Sequence, residues 1–130
     1  YTNKNIKKNK ETNALKDITK SICKKIGVKE LDFLDFADNR LDNYNLLDVI
    51  KPIEKIINNF KPDIIYTHHF GDLNKDHEIV NRAVMTATRP KPNNFVQKIF
   101  SFEVLSSTNW SINNSDSVFM PNYFLNIRKF

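Results

Sequence analysis

The chain has 130 residues, 20 lysines and arginines against 15 aspartates and glutamates, a formal charge of +5 and 40% hydrophobic residues. That length suits a single domain around one thin core. One cysteine, Cys23, rules out an intramolecular disulfide, and with only Gly27 and Gly71 as glycines neither a phosphate-cradling loop nor a dinucleotide fingerprint can be built.

The basic residues crowd the first 25 positions among asparagines, with Tyr1 as the one aromatic there, a pattern of a solvated helix face rather than of a nucleic-acid surface. No apolar run approaches the roughly 20 residues of a membrane span, and no signal-peptide pattern opens the chain, so the expectation is a soluble, cytoplasmic protein. Tyr1 in place of methionine and the strand-like run up to Phe130 make both ends read as cut.

In chain order, Ala14, Leu15, Ile18, Ile22 and Ile26 recur at helical spacing, predicting an amphipathic helix over residues 11–26 that Gly27 closes. Residues 31–36 alternate and predict a strand, with Asp38, Asn39 and Arg40 in the loop after it. Leu46, Leu47, Ile50, Ile53, Ile56, Ile57 and Phe60 predict a second helix, in which Pro52 lies near the first turns. Residues 63–67 read as a buried strand running into His68 and His69. After a loop, Ile79, Val80, Ala83, Val84 and Ala87 predict a third helix closed by Arg89-Pro90, and residues 97–105 a last strand. The alternation predicts an α/β fold with a mostly parallel sheet and helices on its faces, whose ligands gather at the carboxyl ends of strands.

All three histidines, His68, His69 and His77, fall within ten residues of one another, with Asp72, Asn74 and Asp76, between a strand end and the first turn of a helix. Neutral imidazoles and carboxylates are the usual ligands of a catalytic zinc. The plainer reading is that the histidines hydrogen-bond to backbone while Asn74 or Asp76 caps the helix. The two readings are compatible, since Asp76 beside His77 could also orient that imidazole.

The stretch Lys61-Pro62-Asp63-Ile64-Ile65-Tyr66-Thr67-His68-His69-Phe70-Gly71-Asp72-Leu73-Asn74-Lys75-Asp76-His77, continuing to Ala87-Thr88-Arg89-Pro90, resembles the second signature of PIG-L/LmbE proteins. The resemblance extends to residues 36–42 before it and to residues 102–110 and 119–124 after it. These last motifs resemble the branch encoded with bacterial surface-polysaccharide and sugar-modification genes.

The resemblance implies a Rossmann-like α/β fold, incomplete here at both ends, and hydrolysis of the acetamide of an N-acetylglucosamine-type sugar or conjugate with Zn2+ activating water. It implies that His77 binds the metal. The remaining ligands and the general base come, in the family, from a His-Pro-Asp-Asp motif that this sequence does not contain, so the chain by itself is expected to be inactive. A family histidine three residues before the metal ligand is replaced here by Asn74, whose amide can donate a hydrogen bond but cannot deliver a proton as imidazolium can. His69 and His68 are the substitute candidates for that acid, and Asp76 joins the catalytic set. Arg40 matches a substrate-contacting arginine, with pairing to Asp38 or Asp42 as the alternative. Asp72 either accepts from sugar hydroxyls or orders the loop. Family members often assemble, which extends the expectation to a homo-oligomer. The competing readings are a non-catalytic carbohydrate-binding domain of the same fold and, more remotely, a nucleic-acid module using the basic first helix.

Overall fold

The computed structural model describes residues 2–92, 95–111 and 118–128. They belong to two compact units, Tyr1–Asp35 and Phe36–Phe130.

In the first unit, helix α1 runs over Thr2–Lys25, beginning earlier than its apolar periodicity predicts. Its end follows the sequence. Gly27 has φ 80°, its N–H donates to the Lys24 carbonyl at 3.3 Å, and the Val28 N–H donates to the Cys23 carbonyl at 2.9 Å. This paired closure requires a left-handed residue, which glycine adopts without a Cβ clash. Lys24 and Lys25 lie in the last turn, at the negative end of the helix dipole. The strand predicted over residues 31–36 does not form. Alternation gives a segment the shape of a strand, but a strand exists only through hydrogen bonds to a neighbour. Among the described residues no segment pairs with this one.

The second unit begins with a loop that enters a 3-10 turn over Leu41–Asn43, followed by helix α2 over Leu46–Phe60. Pro52 lies inside α2 without ending it. The helix stops at Lys61, whose left-handed backbone (φ 51°) lets its N–H reach the Ile57 carbonyl at 2.8 Å. Strand β1, Ile64–His68, then leads through a loop to helix α3, Lys75–Ala87, and on to strand β2, Lys98–Phe102. The two strands pair in parallel, with Ile64 opposite Lys98 and His68 opposite Phe102. A parallel pair needs a crossover, and α3 provides it, which makes β1-α3-β2 one βαβ unit of an α/β fold. The last strand is shorter than the predicted 97–105, because pairing stops where β1 stops.

The core lies between α2 and α3. Val49, Ile50 and Ile57 of α2 meet Ala83 and Ala87 of α3, and Leu41 completes the buried set. Two alanines one turn apart present almost no bulk, so α2 can approach α3 closely, and Ala83 has no exposure at all. Ile65 of β1 and Val96, just before β2, pack on the edge of this cluster. The consequence for the site is that α3 is fixed from two sides, and its first turn is held at the carboxyl end of β1.

Truncation of Ile50, 3% exposed in the centre of this cluster, to alanine is expected to destabilise the unit by about 2–5 kcal/mol, the range for deleting a buried aliphatic side chain. A urea midpoint unchanged by Ile50→Ala would show that the α2–α3 contact does not hold the unit together.

Candidate functional site

The site is built where β1 runs out and α3 begins. Asn74 caps α3, its side-chain oxygen accepting from the Asp76 N–H at 2.9 Å, and Asp76 and Glu78 place negative charge in the first turn. The strand end is pinned as well, since the Asn81 amide donates to the His68 carbonyl at 2.7 Å. Asn81 is buried and lies one turn after His77, on the same side of the helix.

At the centre is Asp72, whose side chain has no exposure. Its Oδ1 accepts from the Asn74 backbone N–H at 2.8 Å, and its Oδ2 accepts from the Thr108 hydroxyl at 2.7 Å and the Ser107 hydroxyl at 3.1 Å. Nδ1 of His77 lies 3.1 Å from Oδ1. Burial by itself pushes the Asp72 carboxyl up, but the donors from Thr108, Asn74, Ser107 and His77 together outweigh it and hold the group below the usual carboxylate range.

Sequence reasoning offers Asp72 two roles, and a carboxylate committed to protein donors has the loop-ordering arrangement rather than one open to sugar hydroxyls. It also offers Asp76 as the partner of His77. The Asp76 carboxylate instead accepts the Leu41 N–H at 3.0 Å, and the carboxylate facing His77 is Asp72. The reason is helical geometry: adjacent residues leave the axis about 100° apart, so Asp76 and His77 point to different neighbours.

The imidazoles of His68 and His77 stack with centroids 4.0 Å apart and planes 16° apart. Nδ1 of His68 is buried without a hydrogen-bond partner among the described residues. Burial lowers the His68 pKa, and the neighbouring His77 lowers it further, against a smaller opposing pull from Asp72. His69 diverges from this pair. It is buried, its ring lies against Phe70 and edge-on to Phe119, and it lines an open cleft of about 420 Å3 with Phe100, Asn122 and Tyr123.

Arg40 is exposed, and among the described residues it forms no ion pair with Asp38 or Asp42. Its loop is docked on the first turn of α3 by the Leu41–Asp76 bond and by a bond from the Asn74 amide to the Asn39 side chain at 3.2 Å. The structure thus anchors the Arg40 loop to the helix turn that bears His77. Trp110 is well exposed.

Among the described residues no group of three or more His, Cys, Asp or Glu side chains could hold a metal ion. His77 nevertheless fits a single ligand position. Its Nδ1 faces a buried carboxylate, the arrangement in which metal-ligating histidines are usually oriented.

Sequence reasoning missed three residues that build this site. Asn81 left a signal, a polar side chain one turn beyond His77 on the same side of α3. Ser107 and Thr108 fall in the stretch 102–110 that resembles the family, but nothing in local spacing links them to an aspartate about 35 positions away.

In comparison with known proteins, the family model described as PIG-L, GlcNAc-PI de-N-acetylase, matches residues 2–88. The match includes the whole of α1, α2 and β1, and α3 with Asp72 and His77, but ends before Ser107 and Thr108. No curated protein and no solved structure matches the chain.

Acidification is expected to weaken the fold in two stages. The unfolded chain takes up a proton on His68 near the ordinary imidazole pKa of about 6.5, which the folded chain resists, so stability falls as pH drops below that value. The Asp72 contribution is fully present above the ordinary carboxylate pKa of about 3.9 and is lost as pH falls through its lower folded value. Urea midpoints measured against pH read both stages, and a His68→Gln variant that keeps the upper one would count against this assignment.

Proposed function

Because the chain belongs to the PIG-L family, described by its model as GlcNAc-PI de-N-acetylase, we propose that it serves the zinc-dependent hydrolysis of the acetamide on an N-acetylglucosamine-type sugar or conjugate. The observation that carries this reading is the His77 imidazole oriented by the buried Asp72 carboxylate, at the end of β1 where an α/β fold gathers its ligands.

In this proposal His77 supplies one metal ligand. A bound zinc ion would contribute Lewis acidity toward the amide carbonyl and make water nucleophilic near neutral pH. The further ligands and the base belong to the His-Pro-Asp-Asp motif of the family, which does not occur in this sequence. Of the candidates for the donor to the developing oxyanion, His68 is better placed than Asn74. The Asn74 amide is committed to Asn39 and the helix cap, whereas the His68 ring stacks on His77, and no described residue hydrogen-bonds to its buried Nδ1. A neutral imidazole still has one N–H to offer. Asp76 acts indirectly, anchoring the loop of Arg40, and Arg40 is left to meet a hydroxyl or phosphate of the substrate. His69 lines the neighbouring cleft.

We further propose a cytoplasmic role in glycoconjugate or surface-polysaccharide biosynthesis. No helix among the described residues is long and apolar enough to cross a membrane. The second reading, a carbohydrate-binding domain of the same fold without catalysis, draws on the single oriented imidazole among the described residues.

Acetate release from an N-acetylglucosamine conjugate separates the two. The 130-residue chain alone is expected to be inactive, and the full gene product to be active, inhibited by a metal chelator and reduced at least 100-fold by His77→Ala. Acetate release by the chain alone, or a fully active His77→Ala protein, would overturn the zinc reading. Sugar binding by an inactive full product would establish the second one.

A further inference from the structure

We propose that Asp72, clamped by Ser107 and Thr108, is a positioning residue that keeps the neutral His77 ring in its Nδ1–H tautomer, so that Nε2 presents the lone pair. The consequence for metal binding rests on the reading of His77 as a ligand; the geometry does not.

The tautomer follows from donor and acceptor accounting. The Asn74 backbone N–H, 2.8 Å from Oδ1, can only donate. The Thr108 hydroxyl accepts the Val104 N–H at 2.7 Å, so its one proton is directed at Asp72 Oδ2, also at 2.7 Å. The Ser107 hydroxyl, 3.1 Å from the same oxygen, brings a third donor. A carboxylate receiving from all three is an acceptor, and His77 Nδ1, 3.1 Å from Oδ1, must therefore bring a proton of its own. In the other tautomer two lone pairs would face each other where the Asp72 side chain has no water to turn to. Ser107 is consistent with this arrangement, because the hydroxyl that donates to Oδ2 has lone pairs directed toward Nδ1–H at 3.4 Å.

Ser107 and Thr108 matter because they fix the plane of the carboxylate. With donors on both oxygens, Asp72 cannot turn about its terminal bond, and Oδ1 stays where His77 meets it. Both hydroxyl residues are buried, at 8% and 2% exposure, so water does not replace them readily. The stacked His68 ring sets the plane of His77 from one face, while Asp72 sets its tautomer. The device lies partly outside the stretch that matches the family model, which ends at residue 88.

The test is histidine tautomer spectroscopy on the metal-free chain. With 15N-labelled histidine at about pH 8, where an ordinary imidazole is neutral, long-range nitrogen–proton correlations show which ring nitrogen of His77 is protonated. The expected result is Nδ1–H in the wild type, a mixture in Asp72→Ala, a weakened preference in Thr108→Val and the wild-type pattern in Thr108→Ser. Zinc affinity of the full gene product is expected to fall about 10–100-fold in Asp72→Ala. An Nε2–H ring in the wild type, or a folded Asp72→Ala protein with an unchanged ring, overturns the proposal. If Asp72→Ala does not fold, Thr108→Val decides, and an unchanged His77 signal there overturns it equally. Nδ1–H in a wild-type gene product that takes up no zinc supports the positioning and overturns the metal reading instead.

Discussion

A carboxylate without solvent is expensive unless its oxygens are hydrogen-bonded, and the candidate site is organised around meeting that requirement for Asp72. Its donors come from three places: the backbone at the start of α3, the imidazole in the first turn of that helix, and two hydroxyls in the loop after β2. None of these groups could be removed without leaving the carboxylate short of a partner or another donor without its acceptor. One buried charge therefore fixes the relative position of the β1–α3 loop, the first turn of α3 and the loop beyond β2.

That arrangement needs α3 to be in place first, and apolar packing supplies this. Ala83 and Ala87 admit α2 at close range, while Ile65 of β1 adds contact at the edge of the same cluster. Asn81 then ties the end of β1 to the middle of α3 through the His68 carbonyl. The order of causes runs from small side chains that permit close packing, to a helix fixed against a strand, to two histidines brought ring against ring at 4.0 Å. Without the fixed helix, His68 and His77 would be ordinary neighbours in sequence, nine positions apart.

The proposed de-N-acetylation draws both on family membership and on the groups this corner holds. Amide hydrolysis calls for an electrophile-activating group, a donor toward the oxyanion and a means of holding the substrate. The corner offers an oriented imidazole, a second imidazole stacked on it and an arginine on a loop docked beside them. The Asn74 side chain is committed to capping α3 and holding Asn39, so its part in this corner is architectural.

The helices were legible in the sequence because they are decided locally: the apolar spacing of α2 and the glycine that ends α1 act within one or two turns, as does the cap of α3, for which Asn74 was one of two candidates, while the start of α1 lies ahead of its apolar pattern. The histidine cluster was legible for the same reason, since a strand end and a helix start lie within ten residues. The strand expected over residues 31–36 failed because pairing is not a property of one segment. The roles of Asp72 and Asp76 were left open because the direction of a side chain depends on what surrounds it. Ser107 and Thr108 were invisible as partners of Asp72, for the chain brings them there only after β2 has paired with β1 in parallel. Sequence alone determined which residues could do chemistry and on which elements they lie. Tertiary structure decided which of them meet, because hydrogen bonds and burial are set by neighbours in space, and the neighbours of Asp72 come from both ends of a βαβ crossover.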